Sequence, residues 1–361
     1  MATSPELPGS LNFSHDHEPG ITRKSVPHGW GYFHADGSRV TDREEIDRLN
    51  AIGMPPAYER CWFCPDPNGH IQAVGFDAKG RKQYRYHAGF REHQEDAKYE
   101  QLARFGRALP KLRRKVEADI AGRAMSRDTV LAAVVRLIDT THIRVGNEQY
   151  VKDNKSFGAT TLRNRHAKVS GGKLTLSYVG KSGKKRTVTI TDRNLVRIAK
   201  RTQDLPGQHL FEFVGADVLA HPVTSNDVNQ YIRQAMGDAF TAKNFRTWGA
   251  SVIAFTGIAD SADRKLKMKA VIEPVAEALG NTVAISRKSY VHPALIEALK
   301  DAGAIGKKSL PRATPHLSRY ERGLIDFLEA LPSAEEKAEM AIEEQAATEA
   351  EAMLDAVVEA A

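Results

Sequence analysis

The spacing of apolar residues changes near residue 95 of this chain, and that change limits the fold more than any other feature. Over residues 21–90, turn signals recur at Asp36-Gly37, Asn68-Gly69 and Lys79-Gly80, with short apolar or aromatic runs between them. One run sets Gln72, Val74 and Phe76 against Ala73, Gly75 and Asp77, the alternation of a half-buried strand. From about Glu95 the step becomes three or four residues. Tyr99, Leu102, Phe105, Leu109, Leu112 and Val116 then form one face of an amphipathic helix. Strands followed by helices predict an α+β chain, with a small β-rich N-terminal lobe over 21–90 and a mainly α-helical lobe over 91–332.

Pro110 is expected to kink or end the first helix. Ser126 reads as the N-cap of a second helix, which carries Val130, Leu131, Val134 and Ile138 and ends near Gly146, with Arg144 at that end. Ser225 should cap a helix bearing Val228 and Ile232. Residues 266–279 should form another, stopped by Gly280 and Asn281, and Pro293 should open one more through Leu299. A β-hairpin interrupts these helices. Leu174, Leu176 and Tyr178 alternate on the way in, Val188 and Ile190 on the way out, and Ser182-Gly183 supplies the turn. Its tip crowds together Lys181, Lys184, Lys185 and Arg186, a common device for keeping strand edges apart.

The two ends differ from the body. Residues 1–20 are polar, without a basic start or an apolar stretch, and read as a flexible lead-in rather than a signal peptide. Residues 333–361 hold nine acidic residues and one lysine, and their Ala/Glu composition predicts an acidic helical or disordered tail, with Ser333 and Glu336 as a capping box. The whole chain carries +7 and this tail −8, so residues 1–332 carry +15. A body that basic favours a polyanion, and nucleic acid is the obvious one. The segment of residues 81–87 (RKQYRYH) interleaves bases and aromatics, which suits such a surface, but taken alone it reads first as an ordinary amphipathic strand.

Several classes are not indicated. No apolar run approaches the ~18 residues needed to span a membrane. No glycine-rich phosphate loop of the nucleotide-binding type occurs, so ATP use is not expected. Two cysteines give no disulfide framework, and a reducing cytoplasm is the natural compartment. Cys61 and Cys64, with His70 nearby, lack a second ligand pair at zinc-site spacing, so no metal is expected and the thiols read as half-buried beside Trp62 and Phe63.

Four strings carry the chemistry: residues 141–150 (THIRVGNEQY), 179–185 (VGKSGKK), 243–251 (KNFRTWGAS) and 279–290 (LGNTVAISRKSY). Each alone is weak. In order, they supply what transfer of a phosphodiester to a side chain requires. Charge spreads over the nonbridging oxygens during attack, and two guanidiniums suit it because each offers a planar fork of donors. The departing 5′-oxygen leaves poorly unless protonated, so a positioned lysine serves as general acid. A tyrosine phenol gives an aryl phosphodiester activated enough for a DNA hydroxyl to reverse the step.

On these strings the chain, from about Gly29 to about Leu331, resembles the short form of type IB DNA topoisomerases found in poxviruses and bacteria. The resemblance implies a catalytic pentad. Arg144 and Arg246 would bind the scissile phosphate, Arg144 also helping the proton relay; Lys181 would be the general acid and Tyr290 the nucleophile. Asn281 stands where many members have histidine; it can donate a hydrogen bond but cannot titrate. DNA contacts are implied at Gln83, Tyr84 and Tyr86 in the first lobe and at Tyr150 and Lys243 near the cleavage site.

The family implies two lobes closing around duplex DNA, one strand cut through a 3′-phosphotyrosine, rotation, and resealing, with no ATP and no metal cofactor. A monomer acting in the cytoplasm, on the bacterial nucleoid, is the corresponding expectation. A tyrosine recombinase shares the catalytic lobe and nucleophile. Such enzymes typically place histidine three residues before the second arginine, where this chain has Lys243, and their N-terminal lobe is usually helical. A DNA-binding protein without catalysis would not need the full set of Arg144, Lys181, Arg246 and Tyr290.

Overall fold

The computed structural model describes residues 7, 9–332 and 336, apart from 28, 123, 238–239, 262–265, 301–304 and 306–309. The chain divides into two compact units, Met1–Glu100 and Gln101–Ala361. The acidic tail expected over 333–361 lies outside the described residues except for Glu336.

The first unit holds an antiparallel sheet, one short helix and the start of the long helix Ala88–Ile120. Its strands are β1 (Ile21–Val26), β2 (Gly29–Phe33), β3 (Glu59–Phe63), β4 (Ile71–Phe76) and β5 (Lys82–Tyr86), with α1 (Arg43–Ala51) between β2 and β3. The order across the sheet is β2-β1-β3-β4-β5. Ile21, Tyr32, Leu49, Phe63 and Ala73 form its core. Both thiols are buried rather than half-buried. Cys61 faces Gly75 and Cys64 faces Gly69, positions where a side chain would collide with the sulfur, and burial pushes both thiols up from the ordinary cysteine range.

Residues 9–20 are not a free lead-in. Asn12 bridges to Gly69, the Ser14 hydroxyl donates to the Ile71 carbonyl and accepts from its N–H, and Leu11 and Ser14 are buried. The segment is polar because backbone and hydroxyl pairing, more than apolar contact, holds it to β4.

α2 (Ala88–Ile120) begins earlier than its apolar spacing indicates and runs through Pro110 without ending. A proline inside a helix costs about 3 kcal/mol. Here Phe105, Leu109, Leu112 and Val116 are all buried on one face, and their burial outweighs it. The residue four before Pro110 is Gly106, against which the Trp248 indole lies where a side chain would stand.

The second unit continues with α3 (Arg127–Thr141), α4 (Glu148–Asn154), β6 (Ala167–Ser170), β7 (Lys173–Val179), β8 (Lys185–Ile190) and α5 (Arg193–Gln203). It goes on with β9 (Glu212–Val214), β10 (Ala220–Pro222), α6 (Ser225–Met236), α7 (Ala242–Ala259), α8 (Met268–Leu279), α9 (Val283–Ser289), α10 (Pro293–Ala298) and α11 (Arg319–Glu329). α3 is buried along nearly all its length and forms the centre of the core. Ser126 caps it as expected, but it ends at Thr141, not near Gly146. His142 stops it in the left-handed conformation usually taken by glycine (φ 55°), so Arg144 stands in the loop beyond the helix. The cap of α6 is Thr224, one residue before Ser225, closed by Asp227. The predicted hairpin is β7–β8, and β6 joins it as a third strand through Gly171 and Gly172, both at positive φ. Its tip is a short 3-10 turn, Lys181–Gly183.

Candidate active site

One helix and four turns deliver side chains to one place in the second unit. α7 carries Arg246, which is buried. Its guanidinium donates to the carbonyls of His142 and, at 3.1 Å, Leu279, which ties α7 to the ends of both α3 and α8. Burial first, and the like charge of Arg144 second, push Arg246 down to about 10, so it remains a cation at neutral pH. The loop after α3 presents Arg144, whose guanidinium donates to the Asn281 side-chain carbonyl at 2.9 Å. Asn281 follows Gly280, the left-handed stop of α8 (φ 66°), where a side chain would strike Arg186.

Tyr290 ends α9, whose N-cap is Thr282. Its ring centroid is 5.0 Å from the Arg246 guanidinium carbon, a cation–π distance. Burial opposes ionisation of the phenol, but Arg246 and then Arg144 outweigh it and hold Tyr290 below the usual tyrosine range. Lys181 lies exposed on the hairpin tip and lines the same cleft as Arg144, Lys184, Arg186 and Arg246.

The structure thus brings together Arg144, Arg246, Asn281 and Tyr290, with Lys181 on the rim. Two buried donors there, Arg246 Nε and Asn281 Nδ2, have no acceptor among the described residues. Buried donors are usually paired, and these two are left able to meet an acceptor from outside the chain. Tyr150 and Lys243 are both exposed, Lys243 one turn before Arg246 on α7. In the first unit, Tyr84 and Tyr86 stand exposed on one face of β5, whereas Gln83 points to the other face and donates to Asp77 at 3.2 Å. Among the described residues no group of three or more His, Cys, Asp or Glu could hold a metal ion, and no helix is long and apolar enough to cross a membrane.

Sequence reasoning missed three supporting residues. Arg186 donates to the carbonyls of Glu277 and Ala278 at 2.6 and 2.8 Å, fastening the hairpin to the end of α8. The Ser251 hydroxyl accepts from His292 N–H at 3.1 Å and donates to the Tyr290 carbonyl at 3.5 Å, holding the backbone at Tyr290. His142 supplies both the turn before Arg144 and a carbonyl for Arg246. Serine, arginine and histidine are common in such strings, and no spacing rule separates a brace from a bystander.

A family model described as the catalytic core of eukaryotic DNA topoisomerase I matches residues 87–315, and one described as the N-terminal domain of bacterial DNA topoisomerase IB matches residues 29–77. DNA topoisomerase 1B of Acanthamoeba polyphaga mimivirus is 32% identical over 285 residues, covering 75% of this chain and 85% of that protein. The chain belongs to the type IB DNA topoisomerases. The vaccinia virus DNA topoisomerase 1B is 23% identical, with 74% of this chain and 90% of that protein covered. As a type IB topoisomerase the protein is an isomerase. A solved structure of XerH, a site-specific recombinase bound to its palindromic difH substrate, is 17% identical with a TM-score of 0.35, over 54% of this chain and 50% of that one, too slight a likeness to favour recombination.

Proposed function

We propose that this type IB topoisomerase relaxes supercoiled DNA by cutting one strand through Tyr290, letting the free end rotate, and resealing it. The observation that carries the reading is the pair of unpartnered donors, Arg246 Nε and Asn281 Nδ2, beside a tyrosine whose phenol Arg246 and Arg144 acidify. A phosphodiester seated there takes hydrogen bonds from the two arginines and Asn281. Tyr290 Oη bonds to phosphorus as the bond to the 5′-oxygen breaks; the phenol proton passes to solvent, and Lys181 protonates the departing oxygen. The product is a 3′-phosphotyrosine, and resealing runs the same steps backwards. Torsional strain in the DNA supplies the driving force, so neither nucleotide nor metal is consumed.

Residues 91–332 act in this reading as the catalytic domain and 21–90 as a DNA-binding lobe, with Tyr84, Tyr86, Tyr150 and Lys243 on DNA. Gln83 reaches DNA only by leaving Asp77. The protein works as a monomer on chromosomal DNA in a bacterial cytoplasm. The test is plasmid relaxation in EDTA without ATP: supercoils of both signs should disappear, and strict dependence on ATP or a divalent ion would overturn the reading.

A further inference from the structure

Residues 9–20 fall outside both matched family regions, yet they are bound to the sheet next to β5. Asn12 N–H donates to Asn68 O and Asn12 O accepts from His70 N–H, both at 2.9 Å, and the Ser14 hydroxyl exchanges hydrogen bonds with Ile71. Phe13, between these two anchors, is nonetheless 49% exposed. A large apolar ring held outward by a fixed backbone on both sides is not a frayed end. Its edge-to-face contact with His70 (5.2 Å) joins it to a row of rings: His70 lies 6.5 Å from Tyr86, and Tyr86 stacks with Tyr84 at 5.9 Å and 14°. Tyr84 and Tyr86 are 41% and 37% exposed. Lys82 completes the face: its ammonium lies over Tyr84 and pairs with Asp16 of the same N-terminal segment at 2.6 Å.

We infer that the N-terminal segment is part of the DNA-binding face of the first unit: Phe13 extends the Tyr84–Tyr86 row onto the duplex, and Asp16 restrains Lys82 until a phosphate replaces it. The inference rests on the reading of this chain as a DNA enzyme. Of the possible occupants, DNA fits best because exposed rings suit sugars and thymine methyl groups, while a lysine already paired with a carboxylate suits exchange onto phosphate. An apolar protein partner would leave Lys82 and Asp16 without a role.

The two residues make opposite predictions. Half-burying a Phe ring on DNA corresponds to about fivefold in affinity. Binding of a fluorescent duplex, followed by anisotropy over a salt series, should therefore weaken about fivefold in Phe13→Ala at every salt concentration, with Phe13→Tyr near wild type. Asp16→Asn should bind more tightly at low salt and converge with wild type as salt rises, because only an ionic competitor is removed. Lys82→Ala should lower the salt slope by about one phosphate contact. Wild-type protein that binds no duplex would sink the DNA reading itself. Wild-type binding with Phe13→Ala and Asp16→Asn unchanged at all salts would overturn this inference alone. An unchanged melting temperature in Phe13→Ala separates a lost contact from a lost fold.

Discussion

Arg246 sits over the ring of Tyr290, its guanidinium carbon 5.0 Å from the ring centroid, and the same guanidinium is anchored to the carbonyls of His142 and Leu279. In the proposed reaction one side chain would therefore serve phosphate and nucleophile at once. Because it is tied at both ends of the site, it cannot follow the phenol if α9 moves.

The acidity of Tyr290 gives the first expectation. Arg246 and Arg144 hold its pKa down against burial, so phenolate forms at a lower pH than in an ordinary tyrosine. Removing Arg246 leaves burial less opposed and must raise it. The ultraviolet phenolate signal abolished by Tyr290→Phe should appear at higher pH in Arg246→Ala protein than in wild type. An unmoved titration would mean Arg246 does not control the phenol.

Proton delivery can be isolated chemically. Lys181→Ala should slow strand cleavage by about 100-fold or more, in the range of general-acid effects. A DNA substrate with sulfur at the bridging 5′ position should restore most of that loss, since sulfur leaves without a proton. Rescue in Lys184→Ala but not in Lys181→Ala would move the role one turn along the tip.

Ser251 tests whether backbone support matters. Its hydroxyl accepts from His292 N–H and reaches the Tyr290 carbonyl. Ser251→Ala removes about 1 kcal/mol of net hydrogen bonding, so single-turnover cleavage should fall by at most about fivefold with DNA affinity unchanged. Equal losses in cleavage and binding would point to general damage instead.

A charge cluster under the site governs stability. Arg113 donates to Asp139 at 2.8 and 2.9 Å and to Glu321 at 2.8 Å, and the Trp248 indole N–H also reaches Glu321. Burial would raise the Glu321 carboxyl, but Arg113 holds it below the ordinary glutamate range. A depressed carboxylate contributes stability above its unfolded pKa and loses it as pH falls through the folded value. Glu321→Gln should therefore cost about 3 kcal/mol at pH 7, the low end for a broken buried pair because Asp139 still meets Arg113. The difference from wild type should shrink below about pH 4 in denaturant melts.

Local signals carried much of this fold in the sequence. Ser126, Gly280 and Pro293 mark helix ends by their own backbone chemistry, and Leu174, Leu176 and Tyr178 mark a strand by alternation. The failures have tertiary causes. Pro110 does not break α2 because burial on the opposite face holds it. His142 ends α3 without being a glycine, since its carbonyl and ring are both used by α7, where Gly249 leaves room for the imidazole. Arg144, Arg246, Asn281 and Tyr290 were marked out as a set by their strings, but the sequence could not show that Asn281 holds Arg144 or that Arg186 fastens the hairpin.

The hairpin has one more consequence. Leu174, Leu176, Tyr178 and Ile190 bury its strands, whereas Lys181 stands exposed beyond them on a turn closed by the Gly180 N–H and the Lys184 carbonyl. Local melting would reach that tip long before it reached Arg246. In the proposed reaction the group that gives a proton to the leaving oxygen must take it back on resealing. A loosened tip therefore slows breakage and repair by the same factor, and the proportion of DNA left broken stays where it was. Heat or mild denaturant should make this enzyme sluggish before it makes it a source of nicks.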